Sequence, residues 1–311
     1  MHNRLSWMML VFILTGMSLG CEGKMGKADR TPRLVAYYNA NTVPVLAKAD
    51  TFPYTHYILA YLLPDGTGGV KPEGALKYTL KDPAAIRRVQ SAGKKVLISL
   101  GGGTVAGEAW LEMGKNADKI ARETARYVEM FQLDGVDLDI ENVGYKTEKD
   151  LQTYGEAIIR LTLALARELP GKLLTHAPQP PYLCKPRSFS QCPDVSLYAY
   201  VLASAGSHIS WLNMQYYSNP PLTVSDAQEV SHYESVVNGW EGFPGLEPRK
   251  LVVGKPYSRV VSGHEPRERV ISMILQPLAS EYQNSFGGFM GWEFSEDSGG
   301  AWAQAVSKVL R

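Results

Sequence analysis

The sequence predicts a (β/α)8 barrel forming a single domain, and three observations predict it. Strand-like runs recur eight times along the chain. Amphipathic helical stretches lie between them, and this alternation is the signature of an α/β fold with a parallel sheet. Several of the runs are almost continuously apolar, as expected where both faces of a parallel strand are covered. The chain has 311 residues, 45% of them hydrophobic, enough to bury one large core. An open, doubly wound sheet is the competing architecture. It would prefer a Gly-rich phosphate turn after the first strand, and none stands there. The Gly101-Gly102-Gly103 run follows the third strand and lacks the G-x-G-x-x-G spacing.

Residues 1–20 read as an export signal rather than as structure. Arg4 supplies the positive start, and residues 7–14 (WMMLVFIL) supply an apolar run too short to span a bilayer as a mature helix. Ser18 and Gly20 suit ordinary signal cleavage. Residues 17–21 (MSLGC) also resemble a bacterial lipobox, with Ser18 where Leu is usual. Cys21 is expected to be lipidated or lost with the signal. Either outcome places the protein outside the cytoplasm, as a cell-envelope lipoprotein or a secreted protein. Residues 21–32 are polar and aperiodic, a flexible tether. The catalytic domain is expected over 33–311.

The eight strand runs are LVAYYNA near 34, HYILAYLL near 56, KKVLISLGGG near 94 and GVDLDIE near 135, then KLLTHAPQ near 172, WLNMQYYS near 211, KLVVGKPYS near 250 and FGGFMGWEF near 286. Only the first interval is markedly short. Between the fourth and fifth, Leu151, Tyr154, Ile158, Leu161, Leu165 and Leu169 step by three or four along one helix face. Thr147 is its N-cap, with Asp150 in a box-like position, and Pro170-Gly171 ends it. Ala117, Ile120, Thr124, Tyr127 and Phe131 form a similar stripe in the preceding helix. Between Tyr257 and Phe286 there is room for one connection and one helix, so no α+β insertion is expected there.

Charge excludes one large class of partner. With 32 Lys+Arg against 31 Asp+Glu there is no basic excess to neutralise phosphates, so no nucleic acid is expected. Cys184 and Cys192 bracket the short polar segment CKPRSFSQC. In an oxidising compartment they read as a disulfide contributing roughly 2–3 kcal/mol by loop entropy; two inert thiols are the alternative. No C-x-x-C pair or Cys/His cluster suggests a metal, and no cofactor is expected.

The informative segment is residues 134–142, DGVDLDIEN. Strand side chains alternate, so Asp137, Asp139 and Glu141 share one face while Val136, Leu138 and Ile140 share the other. In a barrel the apolar set faces the helices and the acids face the interior. Burying three carboxylates together costs several kcal/mol unless they share protons or find donors. The wet face of an antiparallel strand would show the same alternation, but the parallel-barrel context argues against it. Such crowding keeps one carboxyl protonated near neutral pH, where it can act as a general acid. Glu141 is expected last in the strand, nearest the C-terminal mouth where barrel chemistry occurs, and is assigned the proton donor.

This segment matches the D-x-x-D-x-D-x-E signature of family 18 glycoside hydrolases, the chitinases and related endo-N-acetylglucosaminidases. Residues 99–102 (SLGG) match that family's S-x-G-G motif on the third strand. Ala60-Tyr61, residues 174–179 (LTHAPQ), 214–220 (MQYYSNP) and 288–292 (GFMGW) resemble further strands of the plant hevamine-type chitinases. The resemblance implies a retaining mechanism in which the substrate's own acetamido oxygen is the nucleophile. By residue matching, Glu141 protonates the leaving oxygen and later serves as base for water. Asp139 orients the acetamido group, Asp137 shares a proton or hydrogen bond with Asp139, and Tyr217 binds the acetamido oxygen. Tyr216 and Tyr217 are adjacent, so only one can face inward; Tyr217 is favoured because Gln215 then shares its face. Trp292 forms the floor of the sugar site, and Gln215, Gln179 and Gly102 are the remaining substrate contacts. Ser99 supports the acids from the neighbouring strand, and Asp134 holds the strand end. Either Tyr37 or Tyr38 lines the cleft, while His176 reads as a packed core histidine. Ser218 departs from the Asp or Asn usual after the catalytic Tyr.

The expected activity is endo-cleavage of chitin-like N-acetylglucosamine polymers by a monomer, with the membrane engaged only through a lipid anchor. An endo-N-acetylglucosaminidase acting on glycoprotein or peptidoglycan glycans shares the same acids. A noncatalytic glycan-binding protein is the alternative of another class, although such members usually lose the final Glu, and Glu141 is present.

Overall fold

The computed structural model describes residues 31–40, 44–188, 192–219 and 225–311. The signal-like segment, Cys21 and nearly all of the tether lie outside the described residues.

Eight parallel strands close into a barrel. They are β1 (Arg33–Tyr38), β2 (His56–Pro64), β4 (Lys95–Gly101), β5 (Gly135–Asp139), β6 (Leu173–His176), β7 (Trp211–Gln215), β8 (Leu251–Pro256) and β9 (Gly288–Trp292). The remaining strand, β3 (Val70–Pro72), pairs antiparallel to the end of β2. Each barrel strand pairs with the next in sequence, and β1 closes the ring against both β2 and β9. Closure is tight at Gly288, whose φ is +121°; a Cβ there would stand 2.0 Å from the Arg33 carbonyl oxygen.

Alternation along the strands sorts the core into two layers. Val35, Tyr37, Ile58, Ala60, Leu97, Trp211, Val252 and Met290 fill the interior. Leu34, Ala36, Leu59, Ile98, Leu100, Val136 and Leu138 face outward into the larger core beneath the helices. Each fully buried Leu, Ile or Val side chain contributes about 1.5–3 kcal/mol.

Helix Glu148–Glu168 starts at Thr147 with a reciprocal capping box: Asp150 N donates to Thr147 Oγ1, and Thr147 N donates to Asp150 Oδ2. Its buried face includes Tyr154, Ile158, Leu161 and Leu165. In helix Ala117–Met130 the buried stripe runs through Ile120, Ala121, Thr124, Ala125 and Val128, so Tyr127 is only half-buried. Between β1 and β2 the described residues 44–52 form only turns, which explains the short first interval. Residues 257–287 hold turns and one helical stretch, Arg267–Val270 through a π-turn at Ile271–Leu275 to Gln276–Tyr282, and no added strand. Cys184 and Cys192 are joined as a disulfide with Cα atoms 5.8 Å apart.

Two boundaries differ from expectation. β5 ends at Asp139, so Glu141 stands two residues beyond the strand rather than last in it. β7 ends at Gln215, so Tyr217 also lies past its strand. Both residues sit just past the point where the chain leaves the ladder, at the C-terminal mouth of the barrel.

Candidate active site

Asp137 is fully buried and is the deepest of the three acids. Four donors surround its carboxylate: Thr175 Oγ1 at 2.5 Å, Tyr37 OH at 2.6 Å, Asn213 Nδ2 at 3.2 Å and Ser99 Oγ at 3.4 Å. Burial raises its pKa and the donors pull it back. These four hydroxyl and amide donors occupy the acceptor sites of the Asp137 carboxylate.

Asp139 is 3% exposed and accepts from Gln215 Nε2 at 2.7 Å. The same amide nitrogen donates to the Ala177 carbonyl at 2.9 Å, which fixes its direction. Burial, then the charges of Glu141 and Asp137, hold the Asp139 carboxyl well above the usual carboxylate range. Glu141 is pushed up to about 7, chiefly by burial. Protons on these acids belong to the cluster rather than to single residues.

Residues 139–143 leave the strand along a path pinned at several points. Trp110 Nε1 donates to the Glu141 carbonyl at 3.0 Å, and Tyr182 OH accepts from Val143 N at 3.0 Å. Asn142 adopts a positive φ of 58°, tolerated best by Asn among non-glycine residues, while its amide donates to the Gly103 and Val105 carbonyls. Gln179 Nε2 reaches Glu141 Oε2 at 3.4 Å.

Aromatic rings wall the same space. Tyr217 is 7% exposed and belongs to the interior cluster, with Tyr61 and Trp292 packed against it. Trp292 meets Tyr37 edge-on at 5.7 Å and stacks on Tyr61 at 6.1 Å. Burial and the nearby acids raise the Tyr217 pKa well above its ordinary value, so its hydroxyl stays protonated and can donate. Gly102 serves this wall: a Cβ at its positive φ would stand 2.7 Å from the Tyr61 ring.

The structure thus brings Asp137, Asp139, Glu141, Gln179, Gln215, Tyr217 and Trp292 to one end of the barrel. It also decides between the two tyrosines of β1. Tyr37 faces inward onto Asp137, whereas Tyr38 faces outward and its hydroxyl accepts from Leu46 N at 3.1 Å. Tyr216 likewise points outward, to His232 Nδ1 at 2.8 Å. Asp134 ties the opposite end of β5 to Val96 N at 2.9 Å and to Lys95 and Gln90. His176 is fully buried, bonded to Tyr198 OH at 3.0 Å. Sequence reasoning does not single out roles for Tyr61, Thr175 or Asn213. Register is the signal that finds Thr175: Ser99 and Thr175 are the residues paired with Asp137 on either side.

Comparisons with known proteins agree with this geometry. The family model described as glycosyl hydrolases family 18 matches residues 33–268. The chain is 28% identical to a chitinase of Enterococcus faecalis over 265 residues, 78% of this chain and 71% of that protein. It is 27% identical to an acidic endochitinase of Cicer arietinum over 239 residues, 71% of this chain and 69% of that one. Among solved structures it resembles a GH18 chitinase from Pseudoalteromonas aurantia, with TM-score 0.77 and 33% identity over 89% of this chain and 99% of the other. A fungal endo-β-N-acetylglucosaminidase of family 18 aligns with TM-score 0.69 and 25% identity, over 90% and 98% of the two chains.

Proposed function

The chain belongs to glycosyl hydrolases family 18, and from that premise we propose that it is a retaining, endo-acting chitinase that uses Glu141 as general acid and base. One observation carries the reading. A carboxyl at the barrel mouth is held at about 7 by burial, directly beyond two acids that face the same interior. It therefore carries a transferable proton at the pH where a glycosidic oxygen must be protonated.

The substrate's N-acetylglucosamine ring rests on Trp292. Its acetamido oxygen attacks the anomeric carbon as the glycosidic bond breaks, and Glu141 gives its proton to the departing oxygen. Asp139 accepts the acetamido N–H and balances the positive charge that develops there, while the Tyr217 hydroxyl donates to the acetamido oxygen. Water then attacks the anomeric carbon and displaces the acetamido oxygen, so that the bond it formed breaks and the acetamido group is regenerated. The water gives its proton to Glu141, restoring the acid and leaving the product with the original configuration. Burial and then the charges of Glu141 and Asp137 raise the Asp139 pKa, and the Gln215 amide fixes the direction of the Asp139 carboxylate. From the signal-like residues 1–20 we also propose that this activity is exerted outside the cytoplasm.

Product analysis on N-acetylglucosamine oligomers of four to six sugars tests the reading. Wild type is expected to release shorter oligomers, and Glu141→Gln to lose roughly 10²–10⁴-fold in rate while still binding, because the amide keeps the shape and cannot supply the proton. An unchanged rate in Glu141→Gln would overturn the assignment. Intact oligomers with wild type, but cleavage of a glycoprotein or peptidoglycan glycan, would move the substrate and keep the acid.

A further inference from the structure

Behind Tyr217, on the side away from the acids, lies a charged cluster that the reaction itself does not use. Lys255, on β8, points outward and is completely buried; its Nζ meets Glu229 Oε1 at 2.8 Å, and Glu229 is 1% exposed. Glu229 belongs to helix Asp226–Asn238, the helix that follows the Tyr217 segment. Asp226, at the start of that helix, pairs with Arg269 at 2.9 Å. Arg269 also pairs with Glu265 at 3.3 Å. Asp226 Oδ1 and Glu265 Oε2 are buried without a conventional donor, yet the two carboxyls lie within hydrogen-bonding reach of each other. One proton held between them satisfies both. The charges then close: three carboxyls sharing one proton balance Lys255 and Arg269.

Glu265 is the penultimate residue of the loop of residues 258–266, and that loop is the wall against which Tyr217 rests. Ser218 N donates to the Ser262 carbonyl at 2.8 Å. Gly263 has a φ of +85°, and a Cβ on it would stand 2.9 Å from Tyr217 Cα. Val261 packs into the interior cluster that holds Tyr217 and Trp292. From the other side, Asn219 Nδ2 donates to the Gln215 carbonyl at 2.9 Å and to the Tyr217 carbonyl. Tyr217 stands beyond the end of β7, so no strand ladder fixes it; the loop and Asn219 do.

We propose that Glu265 is a positioning residue for the reaction: its bond to Asp226, braced by Arg269 and by the buried Lys255–Glu229 pair, holds loop 258–266 against Tyr217 and sets the height of the Tyr217 hydroxyl over the acetamido site. The inference rests on the role proposed for Tyr217 above. Its physical basis is that a hydroxyl aimed at a developing charge tolerates little displacement; an error of about 1 Å can cost on the order of a hundredfold in rate. The latch needs its shared proton, and Glu265 is pushed up to about 7, mainly by burial and by Asp226. Facing groups are Asp226 and Glu229 on the helix, Lys255 on β8 and Arg269 on the next helix, with His264 and Arg259 on the loop itself.

A double-mutant cycle on kcat and KM for N-acetylglucosamine pentamer at pH 6 tests this, with wild type, Glu265→Ala, Tyr217→Phe and the double variant. Glu265→Ala is expected to lower kcat by about tenfold or more with a smaller change in KM. In the Tyr217→Phe background the same change is expected to cost almost nothing further, because the hydroxyl it positions is gone. Glu265→Gln, whose amide can donate to Asp226 without a titrating proton, is expected to restore kcat, which separates positioning from a fold too damaged to work. Losses that multiply in the double variant, or a silent Glu265→Ala beside an impaired Tyr217→Phe, would overturn the latch alone. A silent Tyr217→Phe would overturn the role of Tyr217 and the latch with it.

Discussion

Glu141 draws its chemistry from where it stands rather than from a special partner. Burial is the principal cause that lifts its carboxyl to about 7, and the Asp139 carboxyl beside it is also raised, by burial and then by the charges of Glu141 and Asp137. The working form is the protonated one, so the sign of the pH dependence follows. Activity, measured as kcat/KM on an oligomer, is expected to be full below about 7 and to fall as the pH rises through that value. A flat profile to pH 9 would show that another group supplies the proton. Residue identity made the acid row legible from the alternation of Asp137, Asp139 and Glu141 alone. The partners of Asp137 were less legible. Tyr37, Thr175 and Asn213 come from three other strands, and only the register of those strands brings their donors to one carboxylate.

At the scale of the element, local signals and tertiary demands agree most closely in helix Glu148–Glu168. The capping box at Thr147 and Asp150 is present in both directions. Thr147→Ala is expected to cost about 1 kcal/mol, read as a lower guanidinium midpoint at unchanged m-value, and to leave kcat unaltered. Strand ends were the less legible part. Pattern alone runs β5 on to Glu141 and β7 on to Tyr217, because alternation continues past the last ladder hydrogen bond. The ladder stops at Asp139 and at Gln215. Short antiparallel β3 escaped pattern altogether, since three residues carry no measurable period.

Over the whole barrel, the eight-strand ring brings Asp137, Asp139, Glu141, Tyr61, Tyr217 and Trp292 to one end, where the connections leave the strands. Residues 257–287 add no strand to wall the groove. For endo-cleavage of soluble chitin, the viscosity is expected to fall well before reducing ends accumulate. Reducing ends appearing in step with the loss of viscosity would indicate cleavage from chain ends instead. The sequence by itself determined the barrel and the inward-facing row of acids, because strand period and charge burial are local properties of a few consecutive residues. Tertiary structure alone decided that Tyr37 rather than Tyr38 meets Asp137, that Tyr61 stacks on Trp292, and that Glu265 and Lys255 converge behind Tyr217. Those contacts join residues far apart in the chain, and their geometry is set by strand register and barrel closure, which no stretch of sequence encodes by itself.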